Sequence, residues 1–599
     1  MTNQEIAKLL KQVAAAYILK GENRFKIIAY ERAADTIEKS TVEAKDLWED
    51  GKLGSLPGVG ASIAGHLDEL FRTGKVKHFE EIFKGLPQAV FPLLSVPGFG
   101  PKKAYKLVHE LKLGSPGTVF DDLFKAAKGG KIASIEGFGE RSQQEIIEAL
   151  ERFKKGQIKE NRMPLPYAYA IAADVINYLK KNKATRKVES LGSLRRMVAT
   201  IGDIDIAVST EKPDELINWF LRYPKPHTIV EKGPSGATIL LESGRQVDLR
   251  VQHPAKFGAM LQYFTGSKHH NIKLREFALK QGLSLSEYGI KPLTKIKNEK
   301  SKIYEYPTEE EFYKAIGLPW IPPELREDTG EIEAALRTAS GKPGLPHLVE
   351  LRNIKGDFHI HSDYNLEPSH DLGHSPLKEI LANASGLGYE YIGISDHNPS
   401  ITNHSSEQIL SILKRRKAYF EQIMKSTKSV RVNLFIMLEV DIQPDGKLAL
   451  PKEAFSFLDA VIVSVHSSFN MDRKKMTERI LSGLSYPKAK ILGHPSGRLL
   501  GKREGYEVDW TKLFKFCREN HKAIEINAYP DRLDLSDTLV HEAIREKVKL
   551  VIGTDSHEAV QMNQMQYGVS VARRGWAQRC DILNTLPYNK LKGWLLSYK

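Results

Sequence analysis

One rhythm fills the C-terminal part of this chain: a short apolar run that ends in an acid or a histidine. The runs are GDFHIH from Gly356, YIGISDH from Tyr391, LFIMLEVD from Leu434, AVIVSVH from Ala460, AKILGH from Ala489, AIEINAY from Ala523 and LVIGTDSH from Leu550. Helical stretches such as PLKEILANASGLG and LVHEAIREK lie between most of them. Alternating strands and helices with polar residues at the strand C-termini predict a barrel whose site gathers at that one end. Seven units predict a distorted (β/α)7 form. His359, His361, His397, Glu439, His466, His494, Asp555 and His557 are then candidate metal ligands. A single histidine after a strand is ordinarily a satisfied core residue, but that does not explain eight groups at the same end of successive strands. Cys517 and Cys580 are the only cysteines. No disulfide framework or four-cysteine zinc site can form, so a metal must rest on imidazole and carboxylate. That mixture suits Zn²⁺, Mn²⁺ or Fe²⁺.

The rest of the 599-residue chain is long enough for several further cores. Over the whole chain, 88 Lys and Arg against 74 Asp and Glu leave a formal charge of +14. Such an excess favours a polyanionic partner, with nucleic acid the commonest. No apolar run reaches transmembrane length, and the N-terminus carries charges through a helical pattern, unlike a signal peptide. A reducing cytoplasm fits best. In the first third, LPGVGASIAGHLDEL, VPGFGPKKAYKLVHEL and IEGFGERSQQEIIEAL repeat an apolar residue, a turn, Gly-x-Gly and an amphipathic helix. Gly58, Gly60, Gly98, Gly100, Gly137 and Gly139 permit the tight turn and a close backbone approach. The helix start then offers free N–H groups to a phosphate. The pattern resembles the helix-hairpin-helix, which grips DNA backbone without reading bases.

In KVESLGSLRRMVATIGDIDIAVST, a strand turns at Gly192-Ser193 into a short basic helix, and DIDIAV follows as a second strand. Strand alternation puts Asp203, Asp205 and Ala207 on one face. In GRQVDLRV, Val247, Leu249 and Val251 face the core, so Asp248 faces with Gln246 and Arg250. If the two strands are neighbours, three carboxylates converge, and such a group repels itself unless cations sit between. Two Mg²⁺ ions there would clamp the attacking and leaving oxygens of phosphoryl transfer. Ser193 and Arg196 are placed to hold a triphosphate.

Gly-Ser, nine residues and Asp-x-Asp is the signature of the nucleotidyltransferase fold, and YFTGSKHHNIKLR from Tyr263 resembles the thumb segment of family X DNA polymerases. The resemblance implies that Asp203, Asp205 and Asp248 hold catalytic Mg²⁺ or Mn²⁺, with Asp248 helping to deprotonate the primer 3′-hydroxyl. It implies that Gly192, Ser193 and Arg196 bind the dNTP phosphates. Tyr263, Phe264 and Gly266 would meet the sugar and exclude a 2′-hydroxyl, Asn271 would touch the minor-groove edge of the incoming base, and Arg275 the templating side. One departure stands out. Repair polymerases of this family carry a Schiff-base lysine in the first hairpin. Here its position matches His66, and imidazole forms no imine, so the sequence does not support deoxyribose phosphate lyase activity.

The region from about Gly356 onward resembles the PHP domain, which binds a three-metal cluster and hydrolyses phosphate esters. That resemblance calls for an acid soon after His359 and His361. In DYNLEPSHDLG the acid aligns with Asp371, with Glu367 and His370 as rivals. Arg532 and Arg498 are candidates to hold a substrate phosphate.

Together these signals predict a multidomain chain: a helical helix-hairpin-helix domain (1–88), a helical fingers subdomain (89–155), an α+β palm (156–256), a thumb (257–328), a linker (329–353) and a PHP barrel (354–599). The expected function is a monomeric gap-filling, template-directed DNA polymerase joined to a 3′-5′ exonuclease, acting on gapped or primer–template DNA with dNTPs. Abasic-site endonuclease and 3′-phosphatase activities are plausible extras. Two alternatives stay open: a barrel that is only a structural metal scaffold, and a palm that acts on RNA or a small molecule.

Overall fold

Helical periodicity governs the first 162 residues, one of two compact units of the computed structural model; residues 163–599 form the other. The structure describes residues 3–39, 44–49, 51–56, 58–94, 96, 99–140, 142–144, 146–147, 150, 162–293, 303–427 and 431–597. In the first unit, α1 (Asn3–Lys20), α2 (Arg24–Lys39) and α3 (Ala61–Thr73) bury Ile6, Leu10, Val13, Ile37, Ile63 and Leu67 in one core. A second core joins Val90 and Leu93 to α4 (Pro101–Glu110) and α5 (Val119–Lys128) through Leu107, Val108 and Leu123. Gly60 and Gly100 cap α3 and α4 in extended backbone, and Pro101 opens α4 where its missing N–H costs nothing. Gly58 and Gly137 take φ of 82° and 80°, the left-handed region that glycine enters freely. Gly139 lies just before the third repeat's helix, and Gly98 is outside the described residues.

The palm is a five-stranded sheet. Its strands are β1 (Lys187–Ser190), β2 (Ile204–Ser209), β3 (His227–Gly233), β4 (Gly236–Leu241) and β5 (Gln246–Gln252), in the order β1-β2-β5-β4-β3. Only β2 and β5 run parallel. Ile204, Ile206, Val208, Val247, Leu249 and Val251 bury one face under α6 (Leu165–Leu179), with α7 (Gly192–Arg195) leading from β1 toward β2 and α8 (Pro213–Phe220) adding Leu216 and Phe220. The thumb follows as α9 (Phe257–Thr265), α10 (Lys268–Lys280) and the hairpin β6 (Leu283–Ser286) with β7 (Gly289–Pro292).

Residues 329–353, expected as a linker, are packed on both sides: the first part joins the thumb, while Leu348 bridges Gln578 and the Val349 N–H donates to the Ala577 carbonyl of the barrel. They contain α11 (Glu331–Ala339), whose Ile332 and Ala335 join the core of Leu274, Phe312 and Ile316. Glu331 is fully buried and pairs with His270 Nδ1 at 2.7 Å. Neighbouring Gly and Pro masked a short amphipathic helix that gains its stability from this packing rather than from propensity.

The barrel strands are β8 (Gly356–Ile360), β9 (Tyr391–Ile394), β10 (Asn433–Asp441), β11 (Ala460–Ser464), β12 (Ala489–Leu492), β13 (Ala523–Asn527) and β14 (Lys549–Gly553). Each pairs parallel with the next in chain order. Closure rests on an Ile360–Ser556 bridge rather than a full ladder, so the barrel is nearly closed. At its N-terminal end Phe358, Tyr391, Phe435, Ile462 and Val551 pack with Leu591 and Leu595 of the last helix, Tyr588–Leu595. That plug leaves the opposite mouth for polar chemistry. The helices α12 (Asp537–Arg545) and α13 (Met565–Arg574) flank β14. Among the described residues no helix is long and apolar enough to cross a membrane.

Candidate active sites

In the palm, the β2/β5 register sets Asp205 directly beside Asp248. Asp203 precedes them on the same strand face. Burial, then the neighbouring Asp248, push the Asp205 carboxyl up to about 6. Asp248 accepts from the Thr238 hydroxyl at 2.5 Å and from Gln246 Nε2 at 2.9 Å, which fixes its orientation without adding positive charge. Gly192 has φ of 56°, and a Cβ there would lie 2.9 Å from Asp205 Oδ2. Glycine is therefore required on two counts, backbone and space. Ser193 follows at the start of α7.

The tandem arginines after this turn tie palm to thumb. Arg195 forks onto Glu309 at 2.8 and 2.9 Å and donates to Thr265 Oγ1 at 2.6 Å. Arg326 meets the same Glu309 at 2.6 Å. Burial would raise the Glu309 carboxyl, but Arg326 and Arg195 outweigh it and hold it at about 2. Arg196 donates to the Thr265 carbonyl at 2.5 Å and to Glu327 at 2.9 Å, close to Gly266. Tyr263 and Phe264 meet edge to face and each carries a guanidinium on its ring, Arg275 at 5.0 Å and Arg250 at 4.2 Å. Asn271 Nδ2 donates to the Tyr263 carbonyl at 2.7 Å, holding that segment from the next helix. The predicted nucleotide residues thus converge around the three aspartates and the α9–α10 turn.

In the barrel, Glu439 faces five imidazoles: His494 at 2.7 Å, His359 at 3.1 Å, His397 and His466 at 3.3 Å, and His361 at 3.6 Å. Asp555 adds a second carboxylate, 3.3 Å from His361 and 3.5 Å from His359. Asp371, at the exposed rim, lies 3.5 Å from His397 and 3.3 Å from His557; its carboxyl is held well below the usual range, chiefly by His397. Of its rivals, Glu367 accepts from His404 at 2.9 Å, whereas His370 faces Asp441 at 3.1 Å and lies within the cluster, its ring centre 4.9 Å from that of His397 and 4.5 Å from that of His466. His494 and Asp555 hold φ of 25° and 53°, disfavoured conformations of the kind that cluster at functional sites.

This donor set fits metal ions. His359 Nε2, His361 Nδ1 and Nε2, His397 Nδ1, His494 Nδ1 and His557 Nε2 are buried without a hydrogen-bond partner, an arrangement that costs free energy unless something binds there. Several of these nitrogens lie near carboxylate oxygens without bonding geometry, as ligands around a shared cation do. Four groups of ligand atoms are close enough to share an ion: His361, His397 and His557; His370, His397 and His466; Glu439, His466 and His494; and His359, His361, Glu439 and Asp555.

Several functional neighbours were not foreseen. Glu525 accepts from His359 Nδ1 at 2.7 Å and from the His494 backbone N–H at 2.6 Å. Asp441 pairs with His466 Nδ1 at 2.6 Å. Both orient ligands from behind, as such partners do in metal sites. Their signal was present as acids on the apolar strands AIEINAY and LFIMLEVD. Arg532 stands 3.4 Å from Asp555 at the mouth. Arg498, expected beside it as a phosphate ligand, instead spends Nε and Nη2 on the Arg532 and Leu533 carbonyls, so it positions the Arg532 loop. In the first unit, His66 bonds Tyr30 at 2.6 Å and stacks on His78, which leaves no amine at that position.

A carboxylate-bearing palm under a Gly-Ser turn defines a nucleotidyltransferase, and the histidine-lined barrel defines a metal-dependent phosphoesterase module. Family comparisons agree: the DNA polymerase beta thumb matches residues 260–327, the PHP domain 357–529, a helix-hairpin-helix domain 1–76 and a SAM-like helix-hairpin-helix tandem 90–152. The chain is 32% identical over 597 residues to the "DNA polymerase/3′-5′ exonuclease PolX" of Bacillus subtilis, covering 99% of both. It is 23% identical to the DNA polymerase lambda of Rattus norvegicus over 54% of this chain and 56% of that one. A probable phosphatase of Caldicellulosiruptor saccharolyticus is 28% identical over 160 residues, 26% of this chain and 59% of its own. The chain belongs to the family X DNA polymerases, in the form that carries a C-terminal PHP domain.

Proposed function

We propose that this chain is a template-directed DNA polymerase that fills short gaps and trims DNA 3′ ends with a 3′-5′ exonuclease in its barrel. The observation that carries it is one chain holding both centres: Asp205 registered against Asp248, and Glu439 ringed by five imidazoles. Asp203, Asp205 and Asp248 would hold Mg²⁺ or Mn²⁺, whose positive charge offsets that of the transferring phosphoryl group. Gly192, Ser193 and Arg196 bind the dNTP phosphates. Tyr263, Phe264 and Gly266 face the sugar and exclude a 2′-hydroxyl, Asn271 meets the incoming base, and Arg275 the template side. Asp248 receives the primer 3′-hydroxyl proton. The hairpin glycines 58, 60, 98, 100, 137 and 139 let the DNA backbone approach helix N-termini.

In the barrel, His359, His361, Asp371, His397, Glu439, His466, His494, Asp555 and His557 would hold a trinuclear Mn²⁺, Zn²⁺ or Fe²⁺ cluster, which when bound supplies water activation for phosphodiester hydrolysis. Arg532 meets the scissile phosphate, and Glu525 and Asp441 keep the imidazoles aligned. The same chemistry suits abasic-site cleavage and 3′-phosphate removal. The formal charge of +14 favours DNA as substrate, and the protein works as a cytoplasmic monomer.

The test is a labelled primer on gapped DNA, with dNTPs, with NTPs and with neither, in Mg²⁺ and then Mn²⁺. Extension with dNTPs and shortening without them are expected. Incorporation of NTPs but not dNTPs would return the palm to a nucleotidyltransferase of another class.

A further inference from the structure

The barrel meets the palm through Tyr567 on Tyr169, through Asp531 with Tyr167, and most directly at the Gly-Ser turn through Arg574. Arg574, the last residue of α13, is 7% exposed, and every face of its guanidinium is used. Nε donates to Asp537 Oδ2 at 2.8 Å, and Nη2 pairs with the same oxygen at 2.6 Å. Nη1 donates to Glu327 Oε1 at 3.0 Å and to the main-chain carbonyl of Arg196 at 2.7 Å. Glu327 Oε1 also accepts from Arg196 Nε at 2.9 Å. One carboxylate oxygen is therefore shared between an arginine of the palm and an arginine of the barrel. Arg196 and Glu327 are themselves only 13% and 21% exposed, so solvent screens this group weakly.

The sharing has a consequence for a triphosphate. A phosphate that binds Arg196 competes with Glu327 for the same guanidinium. While Arg574 takes part of the Glu327 charge, Arg196 is held less tightly and its backbone is fixed by the carbonyl contact. Without Arg574, one cation fewer shares the Glu327 charge, so its pull on Arg196 strengthens, and the Arg196 carbonyl loses the Arg574 donor. We propose that Arg574 is a positioning residue for the polymerase reaction: it sets how Arg196 meets the dNTP, so nucleotide affinity in the palm depends on the C-terminal barrel. This rests on Arg196 being a phosphate ligand, as read above.

The experiment is steady-state filling of a one-nucleotide gap by the full chain, with exonuclease on a single-stranded 3′ end and thermal unfolding measured alongside. Arg574→Met is expected to raise the dNTP KM about tenfold with a smaller change in kcat, because the loss lies in ground-state binding. The rise should be similar for all four dNTPs, since phosphates carry no base identity. Exonuclease should stay within about twofold. Adding Glu327→Gln to Arg574→Met should bring the KM partly back, because the competitor for Arg196 is removed; a merely structural loss would compound instead. Arg196→Ala separates the two levels. If it leaves KM unchanged, the reading of the nucleotide pocket falls. If it raises KM while Arg574→Met does not, the present inference alone falls. A KM rise matched by equal losses of exonuclease and thermal stability also overturns it. Should Arg574→Met fail to fold, Arg574→Lys carries the same test: a rise of about threefold supports the inference and an unchanged KM overturns it.

Discussion

In the palm, Asp205 and Asp248 lie side by side, and the direct partners of Asp248 are the neutral Thr238 and Gln246. In the barrel, Glu439 and Asp555 are each surrounded by imidazole, and further acids, Glu525 and Asp441, stand behind the rings. Arg250 offsets only part of the burial and the Asp248 repulsion, so the Asp205 carboxyl stays raised. The barrel holds ligands in a preset mixture, braced from behind before any substrate is present. One centre is a pair of facing carboxylates and the other a buried cluster of imidazole and carboxylate groups of metal-ligating type. The same contrast separates how each is built. Palm carboxylates project from the middle of a sheet, whereas the barrel ligands come from the ends of successive strands.

The largest effect expected from breaking that contrast is at His359, which touches Glu439, Glu525 and the Asp555 side. His359→Ala should lower exonuclease at least about a thousandfold and reduce bound metal measured by elemental analysis, while gap filling stays within a few-fold. Glu525→Gln sharpens the comparison. It leaves every proposed ligand in place but weakens the brace on His359 and His494, so metal affinity should fall about 10–100-fold. Metal titration followed by exonuclease rate checks this, and an unchanged affinity would mean that Glu525 only fills space.

How far these centres were readable differs for a physical reason. Strand alternation is local, so Asp248 could be assigned to the face of Gln246 and Arg250 from eight residues, and the register then met Asp205. The apolar runs with terminal ligands announced the barrel equally well. Long-range pairing leaves no such local mark. The ion pairs of Glu309 with Arg195 and Arg326, and of Glu327 with Arg196 and Arg574, join segments far apart in the chain. Nothing in GLPWIPPELRED announces them. Arg498 looked like a phosphate ligand because it follows His494 closely, yet its guanidinium turns to backbone carbonyls. The helix in 331–339 was hidden because the partner that buries its first residue, His270 against Glu331, lies about sixty residues earlier in the chain.

The smallest effect on chemistry belongs to Glu309, a structural counterpart of the palm aspartates. Glu309→Gln leaves the buried Arg326 and the partly buried Arg195 without their carboxylate and should destabilise the protein by about 3–5 kcal/mol in denaturant titration near neutral pH. Its carboxyl is held at about 2, against an ordinary 4.5. Its stabilisation is therefore complete above pH 4.5 and is lost as pH falls toward 2, so wild type and variant should converge in acid. A gap that persists at low pH would show that packing, not charge, sets the loss.

The central claim is that two independent centres share one chain. It is tested most directly by Asp203→Ala with Asp205→Ala, assayed on gapped DNA with and without dNTPs. The account predicts that primer extension disappears while 3′ shortening continues at its original rate. Equal loss of both activities in a folded protein would contradict it.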